Sequence, residues 1–183
     1  MEKLSLPIRP ILWRILPMML LVALLLGGCV APPALSDHRA TGGVAELRWV
    51  SGGVTVCATV EYAPPSESGS RDVTLRFSAP SSLSDVTLSR KGGDLTCEAS
   101  GMIVNHAPFY ALMSAADLLC AEGILRYVSR TELEGMECFY AEIQPNDEEK
   151  ETVGLWIDPH TLTPRQIKGE ELTLTVLSLK IHE

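Results

Sequence analysis

The residues able to do chemistry are few, and their spacing says more than their number. The chain holds five cysteines and four histidines in 183 residues. Cys29 stands apart, at the end of an uncharged run of 12 residues (15–26) and directly after Gly27 and Gly28. Cys57, Cys97, Cys120 and Cys138 follow at intervals of 40, 23 and 18 residues, with no C-x-x-C pair, so a zinc cluster is not expected. Their even number permits two disulfides with three connectivities, or four small buried hydrophobes. His106 precedes the one helical stretch, but His38, His160 and His182 are distant and no carboxylate spacing completes a metal set. Ser51 and Ser114 lack the G-x-S-x-G context of an activated serine. The paired acids Glu132/Glu134, Glu148/Glu149 and Glu170/Glu171 fall in loops or at strand ends, where solvation accounts for them. No nucleophile, acid–base pair or cofactor motif assembles, and enzymatic chemistry is not expected.

Cys29 is different because of what delivers it. Lys3, Arg9 and Arg14 against Glu2 form a basic flank, as expected ahead of a secretory apolar segment. At about 1.5 Å per residue, 12 residues cannot cross a hydrocarbon core of roughly 30 Å, so the run reads as a signal-peptide core. Leu26-Gly27-Gly28-Cys29 resembles the bacterial lipobox: an aliphatic residue, two small residues, then cysteine. The resemblance implies that residues 1–28 are a lipoprotein signal peptide and that the Cys29 thiol receives a diacylglycerol before cleavage. Cys29 then becomes an N-terminus carrying two or three acyl chains, enough for stable anchoring where one is marginal. The expected location is the outer face of the bacterial cell membrane. Val30, in place of Asp, leaves outer-membrane sorting open.

Without residues 1–28 the chain keeps 155 residues, with 12 Lys+Arg and 22 Asp+Glu, net −10. That length suits one domain with a useful core. The acidic balance argues against nucleic acid and against electrostatic adhesion to anionic lipid. Residues 29–43 read as a lipidated tether, broken by Pro32-Pro33 and Gly42-Gly43.

Residues 44–183 read as a single β-rich domain. Strands are expected at 44–50, 54–62, 72–77, 86–90, 95–99, 102–105, 124–130, 137–144, 152–157, 165–168 and 171–181. Residues 54–62 alternate cleanly, Val54, Val56, Ala58, Val60 and Tyr62 against Thr55, Cys57, Thr59 and Glu61, the pattern of a half-buried antiparallel strand. Residues 107–121 break the period: Phe109, Leu112, Met113, Ala116, Leu119 and Cys120 follow helical spacing, with Pro108 suited to the first turn and Gly123 to the end. One helix in a run of strands must lie across a sheet face. The expected fold is α+β, a curved antiparallel sheet capped by a main helix near 107–121. Cys57 and Cys138 lie on the less apolar faces of their strands and are the pair expected if a disulfide forms. Trp49 and Trp156 read as core or rim packing.

The stretch from Gly154 to Ile167 carries Asp158-Pro159-His160-Thr161-Leu162-Thr163-Pro164, in which Asp158 can accept a bond from the backbone two residues on and Pro159 fixes the turn. This D-P-x-T-x-x-P turn, the 54–77 hairpin and the strand order resemble the lipoprotein-carrier-like proteins of the LolA/LppX class. The chain departs from that class in having no long helix before its first strands. The resemblance implies a half-barrel whose concave face holds acyl chains or another apolar ligand, in a class that includes carriers, anchored lipid receptors and envelope-stress sensors. The helix face Phe109, Leu112, Met113 and Ala116 is the candidate lining, with plain core packing as the alternative. Two functions follow: a non-enzymatic binding module for an apolar or lipid ligand, or an envelope lipoprotein that binds another protein.

Overall fold

Eleven segments of alternating polarity become eleven strands of one open antiparallel sheet in the computed structural model, which describes residues 37–67, 69–106, 110–146 and 151–182. Cys29, its apolar run and Phe109 lie outside those residues. The strands are β1 Gly43–Ser51, β2 Val54–Tyr62, β3 Val73–Ala79, β4 Val86–Lys91, β5 Asp94–Ala99, β6 Met102–Asn105, β7 Ile124–Leu133, β8 Met136–Gln144, β9 Val153–Ile157, β10 Pro164–Lys168 and β11 Thr173–Ile181. β7 runs on to Leu133 because Glu134 (φ 52°) and Gly135 (φ 81°) make a two-residue turn with both central residues at positive φ, so the ladder continues to Leu133↔Met136. Gly52 and Gly53 do the same between β1 and β2.

The sheet order is β6-β5-β4-β3-β2-β1-β11-β10-β9-β8-β7. The chain meanders outward from β1 to β6, jumps to the far edge at β7 and meanders back, until β11 pairs with β1 from Gly43↔Ile181 to Arg48↔Thr175. The jump must cross one face of the sheet. Eleven strands spaced about 4.8 Å put the two edges roughly 48 Å apart along the sheet. With a 3₁₀ turn at Tyr110–Met113 and an α-helix at Ser114–Leu119, the connection reaches about 45 Å only if all its other residues are fully extended. A flat sheet of that width would leave the connection no slack, whereas here the sheet curves and the connection roofs its concave side, packing Met113, Ala116 and Leu119 into the sheet's core.

The roof lies over the larger core. Leu47, Val60, Leu75, Leu88 and Leu95 from the sheet meet Met113, Ala116 and Leu119, each at most 1 % exposed. A second cluster, Phe139, Ala141, Ile143, Leu155 and Ile157, covers β8 and β9. The sheet is also capped near its start by helix α1, His38–Thr41. The roof helix is shorter than its periodicity implies. Helix α2, Ser114–Leu119, follows the 3₁₀ turn, where the Ser114 hydroxyl donates to Ala111 O at 2.7 Å. It stops at Cys120 because the carbonyls of Leu119, Ala121 and Gly123 are taken by side chains from the domain's start.

That start corrects the boundary of the tether. Residues expected to link anchor and domain include α1, with His38 and Arg39 only 3 % and 6 % exposed. The compact unit that holds the sheet takes in this helix. The pairing of Cys57 with Cys138 is likewise not formed: all four described cysteines are free. β2 and β8 are five places apart in the sheet order, roughly 24 Å along the sheet, where a disulfide needs Cα atoms within about 7 Å. Facing polarity alone carries no information about which strands are neighbours.

Candidate apolar binding site

Where α2 and its 3₁₀ turn leave the sheet, a cleft of about 550 Å³ opens between roof and strands. β1 and β2 supply Trp49, Val54 and Val56, β3 supplies Phe77, and the roof supplies Leu112 and Ala115. These residues share a face because strand side chains alternate: Trp49 pairs with Val56 across β1–β2, while Val56 and Phe77 are inward members of their own strands. The Trp49 and Phe77 rings pack at 6.3 Å between centroids with planes tilted 56°, the offset geometry aromatic pairs prefer. Ser51, Ser82 and Ser114 add hydroxyls, and Glu171 is the one charged residue in the lining. The size and composition fit a ligand site, mostly apolar with few polar groups.

The expected lining residues divide. Leu112 lines the cleft and is 37 % exposed at its mouth. Met113 and Ala116 face the other way, sealed in the core at 1 % and 0 % exposure. Phe109 is outside the described residues. The 3₁₀ turn causes the split, because three residues per turn rotate Leu112 away from the stripe an α-helix would make. Trp49 was legible only as core or rim packing and Phe77 only as an inward strand residue; which buried residues floor a cleft depends on where the roof stops.

The roof is fastened at three points. The Arg39 guanidinium donates to both carboxylate oxygens of Asp37 at 2.7 Å and to the carbonyls of Ala121 and Gly123. The His38 ring donates through Nε2 to Leu119 O at 3.1 Å, and the Tyr62 hydroxyl donates to His38 O. The bond to Leu119 fixes the His38 tautomer, and burial pushes its pKa down from 6.5. On the sheet side Arg90 pairs with Asp117 at 2.7 Å. At the β10–β11 turn, a Cβ on Gly169 would meet the end of the Leu118 side chain at 3.0 Å, so a larger residue there must push Leu118 aside.

Two other hollows differ in chemistry. One of about 500 Å³ is bounded by Arg71, Arg90, Asp117, Cys120, Glu122 and Glu151, with Arg71 bonded to Ala63 O and Arg90 to Asp117. Burial pushes the Cys120 thiol up to about 11, so it stays protonated. The other lies beside the β9–β10 turn. There Asp158 accepts from the His160 and Thr161 amides at 2.7 and 3.2 Å, the Asx turn expected from the sequence, and pairs with Arg165. Among the described residues no three metal-binding side chains lie close enough to hold an ion.

No protein-family model and no curated protein matches the sequence. Solved structures share the architecture. An uncharacterised conserved protein from Thermus thermophilus superposes with a TM-score of 0.50 at 13 % identity, over 81 % of this chain and 83 % of that one. A LolA superfamily protein from Nitrosomonas europaea gives 0.41 at 9 % identity over 79 % and 87 %. MucB gives 0.44 at 14 % identity over 81 % of this chain and 56 % of its own. The likeness to the Thermus thermophilus protein, at 13 % identity, is one of fold alone.

Proposed function

We propose that this chain is an extracytoplasmic lipoprotein, held to a membrane by acyl chains on Cys29, whose domain binds an apolar or lipid ligand without catalysing a reaction. The observation that carries the binding reading is the cleft itself. Trp49, Val56 and Phe77, buried at 7, 7 and 4 % exposure, form its floor, and exposed Val54 and Leu112 flank its mouth, so an alkyl chain lying there would extend the core. The lipobox-like Leu26–Cys29 stretch supports the anchor. Two measurements test the reading in the intact chain. Detergent phase partition and mass of Cys29→Ser should show loss of membrane association and of the acyl mass; a variant as membrane-bound as the parent would overturn the anchor. A photoactivatable fatty acid should cross-link to peptides spanning 49–56, 77–83 and 111–115. Ala111→Trp, which fills the mouth from an exposed position, should cut that yield about tenfold, a loss of ~1.4 kcal/mol. Adducts confined to residues 1–36 would refute the cleft as the site.

A second reading, a protein partner, is favoured by β6. This edge strand exposes Met102, Ile103 and Val104 at 69, 63 and 49 %, with one row of backbone groups free for strand addition. Substituting Ile103 by Lys should remove a stoichiometric cross-linked protein in cells if that reading holds.

A further inference from the structure

Most of the mouth of the cleft is built from segments with no charge, exposed Glu171 on the β10–β11 turn being the exception. Residues 49–56, 77–84 and 110–116 contain no Asp, Glu, Lys, Arg or His. A chain that is 21 % charged would place about five charges in those 23 residues. The charges begin immediately outside them, at Arg48, Asp85 and Asp117. Three aliphatic side chains stand exposed at this end: Val50 at 63 % and Val54 at 48 % beside the Gly52-Gly53 turn, and Leu112 at 37 % across the opening. Val50 lies on the face opposite Trp49, so it serves neither the core nor the cleft.

We propose that this charge-poor rim, led by the β1–β2 tip, is the surface by which the domain rests on a lipid bilayer, with the cleft opening toward the hydrocarbon. The inference rests on the binding reading above and adds how the ligand gets in. A domain with net negative charge is repelled by anionic headgroups, and exposed charges act over about 10 Å. Only a tip free of ionised groups can settle among headgroups without carrying charge into a low-dielectric layer, so the contact is made by the β1–β2 tip, with Glu171 left at the level of the polar headgroups. Gly, Ser, Thr and Val at the β1–β2 tip meet that requirement, and the exposed valines and Leu112 gain by burial there. A second copy of the acidic chain, or a charged partner, would find no complementary charge on this rim. Contact at the rim would bring Trp49 and Phe77 to the bilayer side, so an acyl chain could enter without crossing water.

Hydrogen exchange of the full chain, reconstituted in phosphatidylcholine vesicles, reads this directly. Amides of 51–54 should exchange about tenfold more slowly in the parent than in Val50→Asp, after correction for intrinsic rates, whereas the charged Lys91–Asp94 turn at the other end of β4 and β5 should not change. Val50→Leu should keep the protection. High salt should leave it intact and added phosphatidylglycerol should at most weaken it, since the contact is apolar and the domain is acidic. A difference under about twofold, or protection that appears only with the anionic lipid, would overturn the proposal. A photoactivatable fatty acid delivered from water separates this from the binding reading. Adducts at Phe77 without rim protection defeat the membrane contact alone, whereas rim protection without such adducts defeats the cleft as a ligand site and with it the proposed route of entry.

Discussion

Replacing Arg39 by alanine should unfasten the roof from the start of the domain. Arg39 is 6 % exposed and reaches over 80 residues along the chain to Ala121 O and Gly123 O. Two bonds from a charged donor are worth about 1.5–3 kcal/mol each before compensation. Both carbonyls are only half-buried, so entering water restores roughly half of that. The buried methylenes of the arginine stem add about 1 kcal/mol, and the local pair with half-exposed Asp37 adds little. The expected loss is about 3 kcal/mol, or about 6–12 °C in Tm for a domain of this size. Arg39→Lys should lose about half as much, because one ammonium cannot bridge two carbonyls and a carboxylate. Thermal unfolding gives the total. Amide exchange gives the location: residues 118–123 should open first, with β1–β5 unchanged at low temperature. A loss under ~1 kcal/mol, or exchange that quickens equally in the sheet, would refute the idea that this arginine holds the roof.

Other consequences follow from the same geometry. The Arg165 guanidinium, helped by the His160 and Thr161 amides, holds the Asp158 carboxyl at about 2. Its contribution is therefore complete above the unfolded value of 3.8 and lost as pH falls from there toward 2, and Asp158→Asn should flatten that part of the stability–pH curve. Buried His38 titrates below its unfolded value of 6.5, so acidification below 6.5 protonates the unfolded chain first and lowers stability; titration of unfolding in His38→Gln should show a shallower acid limb. Gly169→Val should destabilise by ~1–3 kcal/mol through Leu118, and the double variant with Leu118→Ala should recover part of the loss in a mutant cycle. Alkylation under native conditions should label half-buried Cys57 ahead of Cys97, Cys120 and Cys138, which are buried. Non-reducing mass spectrometry that found Cys57 linked to Cys138 would contradict the strand order.

Strand positions were legible because each strand contrasts an inward and an outward face, as Val56, Ala58 and Val60 do against Thr55, Cys57 and Thr59. Residues 54–62 and 102–105 coincide with β2 and β6. The β7–β8 turn was harder, because Glu134 rather than glycine takes one of its positive-φ positions. The roof was legible as helical but not in length: periodicity shows the stripe from Leu112 to Leu119 and says nothing of the distant His38 and Arg39 that end it.

The amino-acid sequence by itself determined the local terms of this protein: where strands begin and turn, and that a helical segment interrupts them after β6. These depend on residues a few positions apart. Tertiary structure alone decided that β11 closes against β1, that the 106–123 connection must therefore cross the concave face, and that residues 37–41 belong to the domain. It also decided that Trp49 and Phe77, rather than Met113 and Ala116, face an open cleft. Such facts turn on which distant segments exclude water from one another, and a cleft is the place where that exclusion stops.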